Sequence, residues 1–276
     1  MVTITRVRSA PERREALKAV YEEASGCVAC PLHQTRTKVV FGAGNADADL
    51  MFVGEAPGAN EDRLGLPFVG QAGKLLDRLL GDIGLERQDV WICNTLKCRP
   101  PDNRDPYPHE IDACQDFLFR QVDLIEPVVI CTLGNFATKL LRGDTTGISK
   151  LHGQAEVRAI GPRTVRLLPL YHPAAALYTP STLETLRADF ATIPGLLALG
   201  APEQPAPVEP VPEFDLPAEN APPGQFGQAR RDGADEPAAD SDGPESASHG
   251  SESESDGPVL VTGPSSAPVT EQLGLF

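Results

Sequence analysis

Four cysteines have the spacing and surroundings expected of metal ligands. They comprise a C-x2-C pair and two residues in Pro-rich or helical segments: Cys27, Cys30, Cys98 and Cys114. Cys93 and Cys131 fall instead inside apolar runs, where a cysteine ordinarily packs as a small hydrophobic side chain. Four thiolates suit zinc and a cubane iron-sulfur cluster equally well. The spacing therefore predicts a metal site without deciding which metal it holds.

Three polar residues at the ends of apolar runs are candidates for a catalytic or binding site. Glu55 follows the run 49–54, Asn94 lies near the end of the run 90–96, and His172 follows the run 165–170. Glutamate and histidine can exchange protons with a substrate, and a side-chain amide both donates and accepts hydrogen bonds. Taken singly, Asn94 and His172 are equally consistent with ordinary turn or loop positions.

The elements that must position these residues alternate between strand and helix. Compact apolar runs predict four strands, at 49–54, 90–96, 127–133 and 165–170. Strands that are apolar throughout indicate a mainly parallel sheet covered on both faces, which is an α/β fold with α/β/α layers. In such folds the site lies at the carboxyl ends of the strands, where the three polar candidates fall.

Helical periodicity fills the segments between the strands. Apolar residues at helical spacing predict helices at 10–24, 70–85, 108–125, 134–141 and 181–193. The last of these is expected to be capped by Ser181 or Thr182 and to stop at Pro194-Gly195.

Composition divides the chain near residue 200. Residues 201–276 hold 15 of the 39 acidic residues but only 2 of the 24 basic ones, which leaves residues 1–200 nearly neutral. The acidic segment is rich in Pro, Ser and Gly and poor in apolar clusters, so residues 201–270 are predicted to be a disordered linker. The globular part, 1–200, keeps a charge compatible with DNA binding.

The sequence contains no run of about 20 apolar residues that would span a membrane, and no apolar stretch that would act as a signal peptide. A cytoplasmic protein is therefore expected. In a reducing compartment, cysteines serve as metal ligands or buried thiols more often than as disulfides.

Three motifs resemble those of family 4 uracil-DNA glycosylases. The first is Gly-Glu-Ala-Pro-Gly at 54–58 with Gly-Leu-Pro-Phe-Val-Gly at 65–70, and the second is Asn-Thr-Leu-Lys-Cys-Arg-Pro-Pro at 94–101. The third is Tyr-His-Pro-Ala-Ala at 171–175. They occur in the family's order over roughly residues 20–195. The resemblance implies a glycosylase-like sandwich around a four-stranded sheet, and an enzyme that flips uracil out of DNA and hydrolyses its bond to deoxyribose.

The resemblance also implies roles for individual residues. The residues expected to bind uracil are Gly54, Glu55, Ala56, Phe68, Asn94 and His172. Phe68 would stack on the base, and Asn94 would pair with uracil O4 and N3-H. His172 would stabilise the negative charge that develops on the departing base, in either its neutral or its charged form. Glu55 would position or deprotonate the attacking water, or only orient its loop.

The resemblance decides the metal in favour of one 4Fe-4S cluster, held by the four candidate cysteines. Such a cluster would tie the N-terminal segment to the loop from Lys97 to Cys114. That loop carries Lys97, Arg99 and Arg104, which are candidates for contacts with DNA phosphates. Leu177 is the candidate for an apolar wedge that fills the gap left by the flipped base.

Two alternative functions remain open on the sequence. A catalytically silent adaptor for DNA or a sliding clamp would need the cysteines but not Asn94 or His172. A covalent uracil-DNA-trapping relative would carry glutamine where this chain has Ala56 and a basic, His-bearing insertion where this chain has a short Pro-rich segment. Turnover without a covalent adduct, by a monomeric monofunctional enzyme, is therefore expected.

The chain ends in an apolar cluster at the end of a polar segment. Residues 271–276 resemble the short peptides by which repair enzymes dock into a sliding clamp, and the candidate contacts are Gln272, Leu273, Leu275 and Phe276. A chance Leu/Phe ending is the alternative. A long tether would raise the effective concentration of the enzyme beside clamp-loaded DNA.

Overall fold

The structure is a computed structural model, and it describes residues 8–205. Nearly all of the predicted linker, 201–270, and the whole clamp peptide, 271–276, lie outside the described residues.

In the described part of the chain, six strands form one mixed sheet. They are β1 (Ala43–Gly44), β2 (Leu50–Gly54), β3 (Trp91–Asn94), β4 (Val129–Leu133), β5 (Glu156–Ile160) and β6 (Arg163–Leu170). Their order across the sheet is β1-β3-β2-β4-β6-β5. The four inner strands run parallel, whereas β1 and β5 pair antiparallel at the two edges. The four predicted strands are thus confirmed as the parallel centre of the sheet.

Helices cover both faces of this sheet. They are α1 (Ala10–Ser25), α2 (Ala59–Leu64), α3 (Gln71–Asp82), α4 (Pro108–Ile125), α5 (Asn135–Arg142), α6 (Ile148–Leu151), α7 (Pro173–Ala176), α8 (Pro180–Phe190) and α9 (Ile193–Ala198). The predicted helix at 108–125 is confirmed with the same bounds. No helix within residues 8–205 is long and apolar enough to cross a membrane.

Two apolar cores lie on opposite faces of the sheet. In β2, Met51 and Val53 join a cluster with residues of α1 and α4, while Leu50 and Phe52 join a second cluster with residues of α3 and α8. This division follows from the strand geometry, because successive side chains point to opposite faces. Both sets are buried, which explains why the strand is apolar throughout and confirms the three-layer α/β/α sandwich.

The end of the domain departs from the prediction. Helix α8 begins at Pro180 after Thr179, so the predicted caps Ser181 and Thr182 lie inside the helix. Pro194 and Gly195 do not stop a helix but belong to α9, where Pro194 occupies the first turn. Proline is tolerated there because the amide N–H groups of the first turn have no partner within the helix.

The globular part extends past the predicted boundary at residue 200. The Gln204 side chain accepts a hydrogen bond from the Thr164 N–H at 3.1 Å and donates one to the Thr164 carbonyl at 2.9 Å. These contacts attach Gln204, which lies within the predicted linker, to strand β6.

Candidate active site

The candidate site lies at the carboxyl ends of the parallel strands. Gly54 ends β2 and Asn94 ends β3, and the two are directly paired in the parallel ladder. His172 follows β6 and precedes α7. The topology therefore brings these residues to one edge of the sheet, as the sequence predicts.

Gly54 is the point at which the site is packed most closely. A side-chain Cβ at this position would lie 2.7 Å from the Phe68 ring and closer still to the Asn94 amide oxygen. Asn94 is only 2 % exposed. Because glycine has no side chain, the Asn94 amide and the Phe68 ring can both approach the end of β2.

Phe68 has a backbone conformation that few side chains adopt. Its φ is 52°, in the left-handed region, which is uncommon for an aromatic residue. Arg87 donates hydrogen bonds to the carbonyls of Pro67 and Phe68, and it also pairs with Asp77 in α3. Gly73 lets the α3 backbone approach, because a Cβ there would collide with the Phe68 carbonyl. These contacts hold the ring in place.

Glu61, in α2, closes the same loop from the other side. Its Oε1 accepts hydrogen bonds from the N–H groups of Val69 at 2.9 Å and Gly70 at 3.0 Å. Its negative charge also acts on His172, where it favours the protonated form. Glu61 lies between the two segments of the first motif. The sequence predicts neither its role nor that of Arg87, because it does not show which loop carbonyls and amides they reach.

His172 is held in one orientation and one tautomer. Its Nδ1 accepts a hydrogen bond from the Ala174 N–H at 3.1 Å, so in the neutral ring the proton resides on Nε2. Burial lowers the pKa of His172 to about 4, against the smaller opposing effect of Glu61. The imidazole is stacked beside Phe68, with ring centroids 5.7 Å apart.

Glu55 lies directly after β2 and is partly buried. Burial raises the pKa of its carboxyl group, and the negative charge of Asp105 raises it further. The Glu55 carbonyl accepts hydrogen bonds from the Thr95 hydroxyl and, at 3.0 Å, from the Leu96 N–H. Ala56, the next residue, packs against the core on the α1 and α4 side. The backbone of this segment is therefore fixed to the chain that follows β3.

A second site is formed by the cysteines. One cavity is lined by all four predicted ligands, Cys27, Cys30, Cys98 and Cys114, together with Ala24, Ala29, Arg36, Lys97, Ala113 and Phe117. The main-chain N–H of Lys97 donates to Cys114 Sγ at 3.3 Å, and Arg36 donates to Cys98 Sγ at 3.4 Å. Burial raises the pKa of the Cys98 thiol to about 11. Cys93 and Cys131 lie apart from this cavity, in β3 and β4, and are buried.

The cysteines are not gathered tightly around one point. Within residues 8–205, no group of three His, Cys, Asp or Glu side chains is arranged to hold a single metal ion. Three residues with small side chains, Ala24, Ala29 and Ala113, line the same cavity. Four sulfur donors that line one cavity are the ligand set that a sulfur-ligated metal centre requires.

The basic residues of the loop after β3 differ in how free their side chains are to contact DNA phosphates. Lys97 is only 2 % exposed, so the expectation that it meets DNA phosphates is wrong. Arg104 forms two hydrogen bonds with the buried carboxylate of Glu110, which neutralises its charge. Arg99 donates to the neutral side-chain oxygen of Asn103 at 2.8 Å.

The loop after α7 places an aromatic residue on the surface. Leu177 is partly buried against the core on the α3 and α8 side, whereas its neighbour Tyr178 is 89 % exposed. The predicted wedge residue is therefore packed, and Tyr178 presents the larger exposed apolar surface. The clamp-binding candidates at 272–276 lie outside the described residues.

The sheet order and the strand-end site define an α/β protein of a known class. The chain belongs to the uracil-DNA glycosylase superfamily, whose family model matches residues 41–192.

Comparison with individual relatives identifies the family within this superfamily. The chain is 47 % identical to a type-4 uracil-DNA glycosylase of Archaeoglobus fulgidus over 184 residues, which are 65 % of this chain and 92 % of the relative. It is also 47 % identical to a type-4 uracil-DNA glycosylase of Sulfurisphaera tokodaii, over 65 % of this chain and 84 % of the relative. A type-5 uracil-DNA glycosylase of Pyrobaculum aerophilum is more distant, at 34 % identity over 48 % of this chain and 63 % of the relative. These similarities place the chain in family 4.

Proposed function

We propose that this chain excises uracil from DNA by receiving the flipped nucleotide in the strand-end pocket and hydrolysing its N-glycosidic bond. The observation that carries the proposal is the convergence of Gly54, Phe68, Asn94 and His172 at one edge of the sheet. The type-4 relatives support the same activity through their names. The base must leave the duplex because its reacting bond is otherwise inaccessible.

Recognition of uracil is assigned to Phe68 and Asn94. An aromatic ring gives any base a stacking surface, so Phe68 contributes affinity without selecting uracil. The Asn94 amide can accept from uracil N3-H and donate to O4 at the same time. Cytosine presents an amino group where uracil has O4, and a fixed, buried amide would meet it with a second donor. An unpaired donor in a buried pocket is costly, which provides the discrimination.

Bond cleavage is assigned to His172 and Glu55. Neutral His172 carries its proton on Nε2 and donates it in a hydrogen bond to uracil O2, where negative charge accumulates as the C1′–N1 bond breaks. Glu55 orients the water that adds to C1′ and accepts its proton. Its raised pKa makes the carboxylate a stronger base than an ordinary glutamate. The products are free uracil and an abasic site.

Release of free uracil from a labelled single-stranded oligonucleotide tests this proposal directly. The wild type should release uracil, and Asn94→Ala and His172→Ala should each lower the rate about 100- to 1000-fold. A silent adaptor would release none, and a covalent trapping enzyme would give an SDS-resistant adduct. Either result would refute the proposal.

We further propose that Cys27, Cys30, Cys98 and Cys114 hold a 4Fe-4S cluster. The four sulfur donors around one cavity support this assignment, since each iron of a cubane takes one thiolate. When bound, the cluster supplies a cross-link between the end of α1, the segment after β3 and α4. None of the proton transfers assigned above requires the cluster.

Matched cysteine variants test the cluster. Cys98→Ala should lose iron, sulfide and the absorbance near about 400 nm that such clusters give. Cys131→Ala, which removes a buried thiol in β4, should keep all three. Zinc in place of iron in the purified wild type would overturn the assignment.

Contacts with DNA and with a partner protein are proposed for other residues of the chain. We infer that Arg99 meets a phosphate and that Leu177 and the exposed Tyr178 fill the gap in the base stack. A contribution from Arg104 requires that it release Glu110.

We also infer that the enzyme acts as a monomer and that residues 271–276 bind a sliding clamp. Deleting these six residues should abolish clamp pull-down and leave uracil release from free oligonucleotides intact; loss of both would refute the clamp role.

A further inference from the structure

Lys97 is a buried basic residue that none of the roles above uses. Its Nζ donates hydrogen bonds to the Asn94 main-chain carbonyl at 2.7 Å and to Gln121 Oε1 at 2.6 Å. Gln121 is itself buried, and its amide donates to the Phe41 carbonyl at 2.9 Å. The Phe41 ring lies 5.8 Å from the ammonium. The ammonium is therefore held in one place by two acceptors and an aromatic ring.

Lys97 also lies beside sulfur atoms. Burial lowers the pKa of Lys97, against the smaller opposing effects of Cys93 and Cys114, and Cys114 Sγ accepts from the Lys97 main-chain N–H. A buried cation is costly unless opposite charge lies close to it. The same residue thus contacts a predicted cluster ligand and the asparagine of the pocket.

The peptide that Lys97 holds is important for the pocket. The Asn94 carbonyl belongs to the Asn94–Thr95 peptide, whose N–H donates to the Gly54 carbonyl at 2.9 Å. The Thr95 hydroxyl donates to the Glu55 carbonyl. Displacing this peptide would move Asn94 and loosen the ends of both β2 and β3. A displacement of about 1 Å at a catalytic group can cost 100-fold in rate.

We propose that Lys97 is a positioning residue that couples the cysteine cluster to uracil recognition, by fixing the Asn94 carbonyl while its own main chain is tied to Cys114. The inference rests on the proposed function, since it requires both the uracil pocket and the cluster. It gives the cluster a role in base recognition through the protein's own hydrogen bonds, without any part in bond cleavage.

The test compares Lys97→Met with Lys38→Met in the full-length, cluster-loaded enzyme. Methionine keeps the length and apolar character of the lysine stem but removes the charge and both hydrogen bonds. Lys38 is exposed and serves as the matched control. Three quantities are measured: iron and sulfide per chain, kcat/KM for uracil release, and the inhibition constant of free uracil.

Lys97→Met should bind free uracil about 10- to 100-fold more weakly per cluster-loaded chain, the effect of leaving the buried Asn94 carbonyl without this hydrogen-bond donor. Its kcat/KM should fall at least as far, and Lys38→Met should match the wild type. Lys97→Gln, which keeps a donor but no charge, should lie between the two. It also serves as the second variant if Lys97→Met does not fold.

Two results would overturn the inference. One is a variant with full cluster content and unchanged inhibition by free uracil. The other is a variant that loses cluster while its remaining loaded chains bind uracil normally, because Lys97 would then serve only the cluster. If the wild type releases no uracil at all, the proposed function fails instead, so the two failures are distinguishable.

Discussion

The Phe68 ring is stacked beside the His172 imidazole, with centroids 5.7 Å apart and 29° between the ring planes. On another side of the imidazole, Gly134 approaches so closely that a Cβ there would lie 3.2 Å from His172 Cβ. The imidazole is thus enclosed by an aromatic ring and by backbone. This packing reduces the contact of the ring with water, which disfavours the charged imidazolium.

The first prediction concerns the protonation of His172. In the free enzyme its imidazole should titrate at a pKa of about 4, with the neutral ring protonated on Nε2. Two-dimensional NMR of the ¹⁵N-labelled imidazole measures both properties. An imidazole that titrates at about 6.5, the ordinary value, or that carries its proton on Nδ1, would contradict the assignment.

The same pKa has a consequence for stability. Between pH of about 4 and 6.5 the unfolded chain binds a proton at His172 that the native chain does not, so this residue makes stability rise with pH across that window. Compared with His172→Gln, the wild type should lose up to about 3 kcal/mol of unfolding free energy between pH 7 and pH 4. Denaturant titrations of both proteins at the two pH values provide the check.

The second prediction concerns Gly54. Gly54→Ala would place a methyl group against the Asn94 amide and 2.7 Å from the Phe68 ring, so one or both must move. We expect uracil release to fall about 100-fold or more while the fold persists. Gly81→Ala is the control, because a Cβ at position 81 meets nothing within 4 Å and should stabilise α3 slightly. Equal activities of the two variants would count against the pocket geometry.

The centre of the fold was predictable because its signal is local. Residues 50–54 and 129–133 are buried on both faces, so every position except Thr132 is apolar and the strands are visible in the sequence. Strand β5 was missed because it lies at the sheet edge and buries only Ile160 fully. Strand β1 was missed because two residues, Ala43 and Gly44, form no pattern. An edge strand forms by pairing with a neighbouring strand, and its own residues carry little of the apolar pattern that would reveal it.

The third prediction concerns Arg87, a residue that the sequence did not indicate. Arg87→Met would remove the donors to the Pro67 and Phe68 carbonyls and release a phenylalanine with φ of 52° from its constraint. The proposed stacking of Phe68 on the base predicts that KM rises about 10-fold, with a smaller fall in kcat.

Arg78→Met in α3 is the control for this change, since Arg78 is exposed. Steady-state kinetics on a uracil-containing oligonucleotide separates KM from kcat. A change in kcat alone, with KM equal to that of Arg78→Met, would show that Arg87 does not act through the stacking ring.

Only those parts of the site that lie at strand ends or within the motifs were predictable from the sequence. Glu55, Asn94 and His172 follow strands, and the topology alone brings them together. The contacts of Arg87 and Lys97 cannot be read from the sequence, because each depends on which distant carbonyl it meets after folding. Lys97 shows the limit clearly: its charge suggested an exposed phosphate contact, but packing buries it beside Asn94.

The last prediction concerns the carboxyl group of Glu55. Burial and the charge of Asp105 raise its pKa, so the native chain holds this proton to a higher pH than the unfolded chain does. Native stability from this group therefore falls as pH rises through the titration. Glu55→Gln should be more stable than the wild type at pH 8, and this advantage should vanish below pH 4, where the carboxyl is protonated in both states.

The same variant should release uracil about 100-fold more slowly, because the amide cannot accept a proton from the attacking water. Glu184→Gln, at an exposed position in α8, should change neither stability nor rate. Denaturation at the two pH values and single-turnover kinetics test both parts. A Glu55→Gln enzyme that is more stable but fully active would show that Glu55 does not accept the proton and only orients its loop.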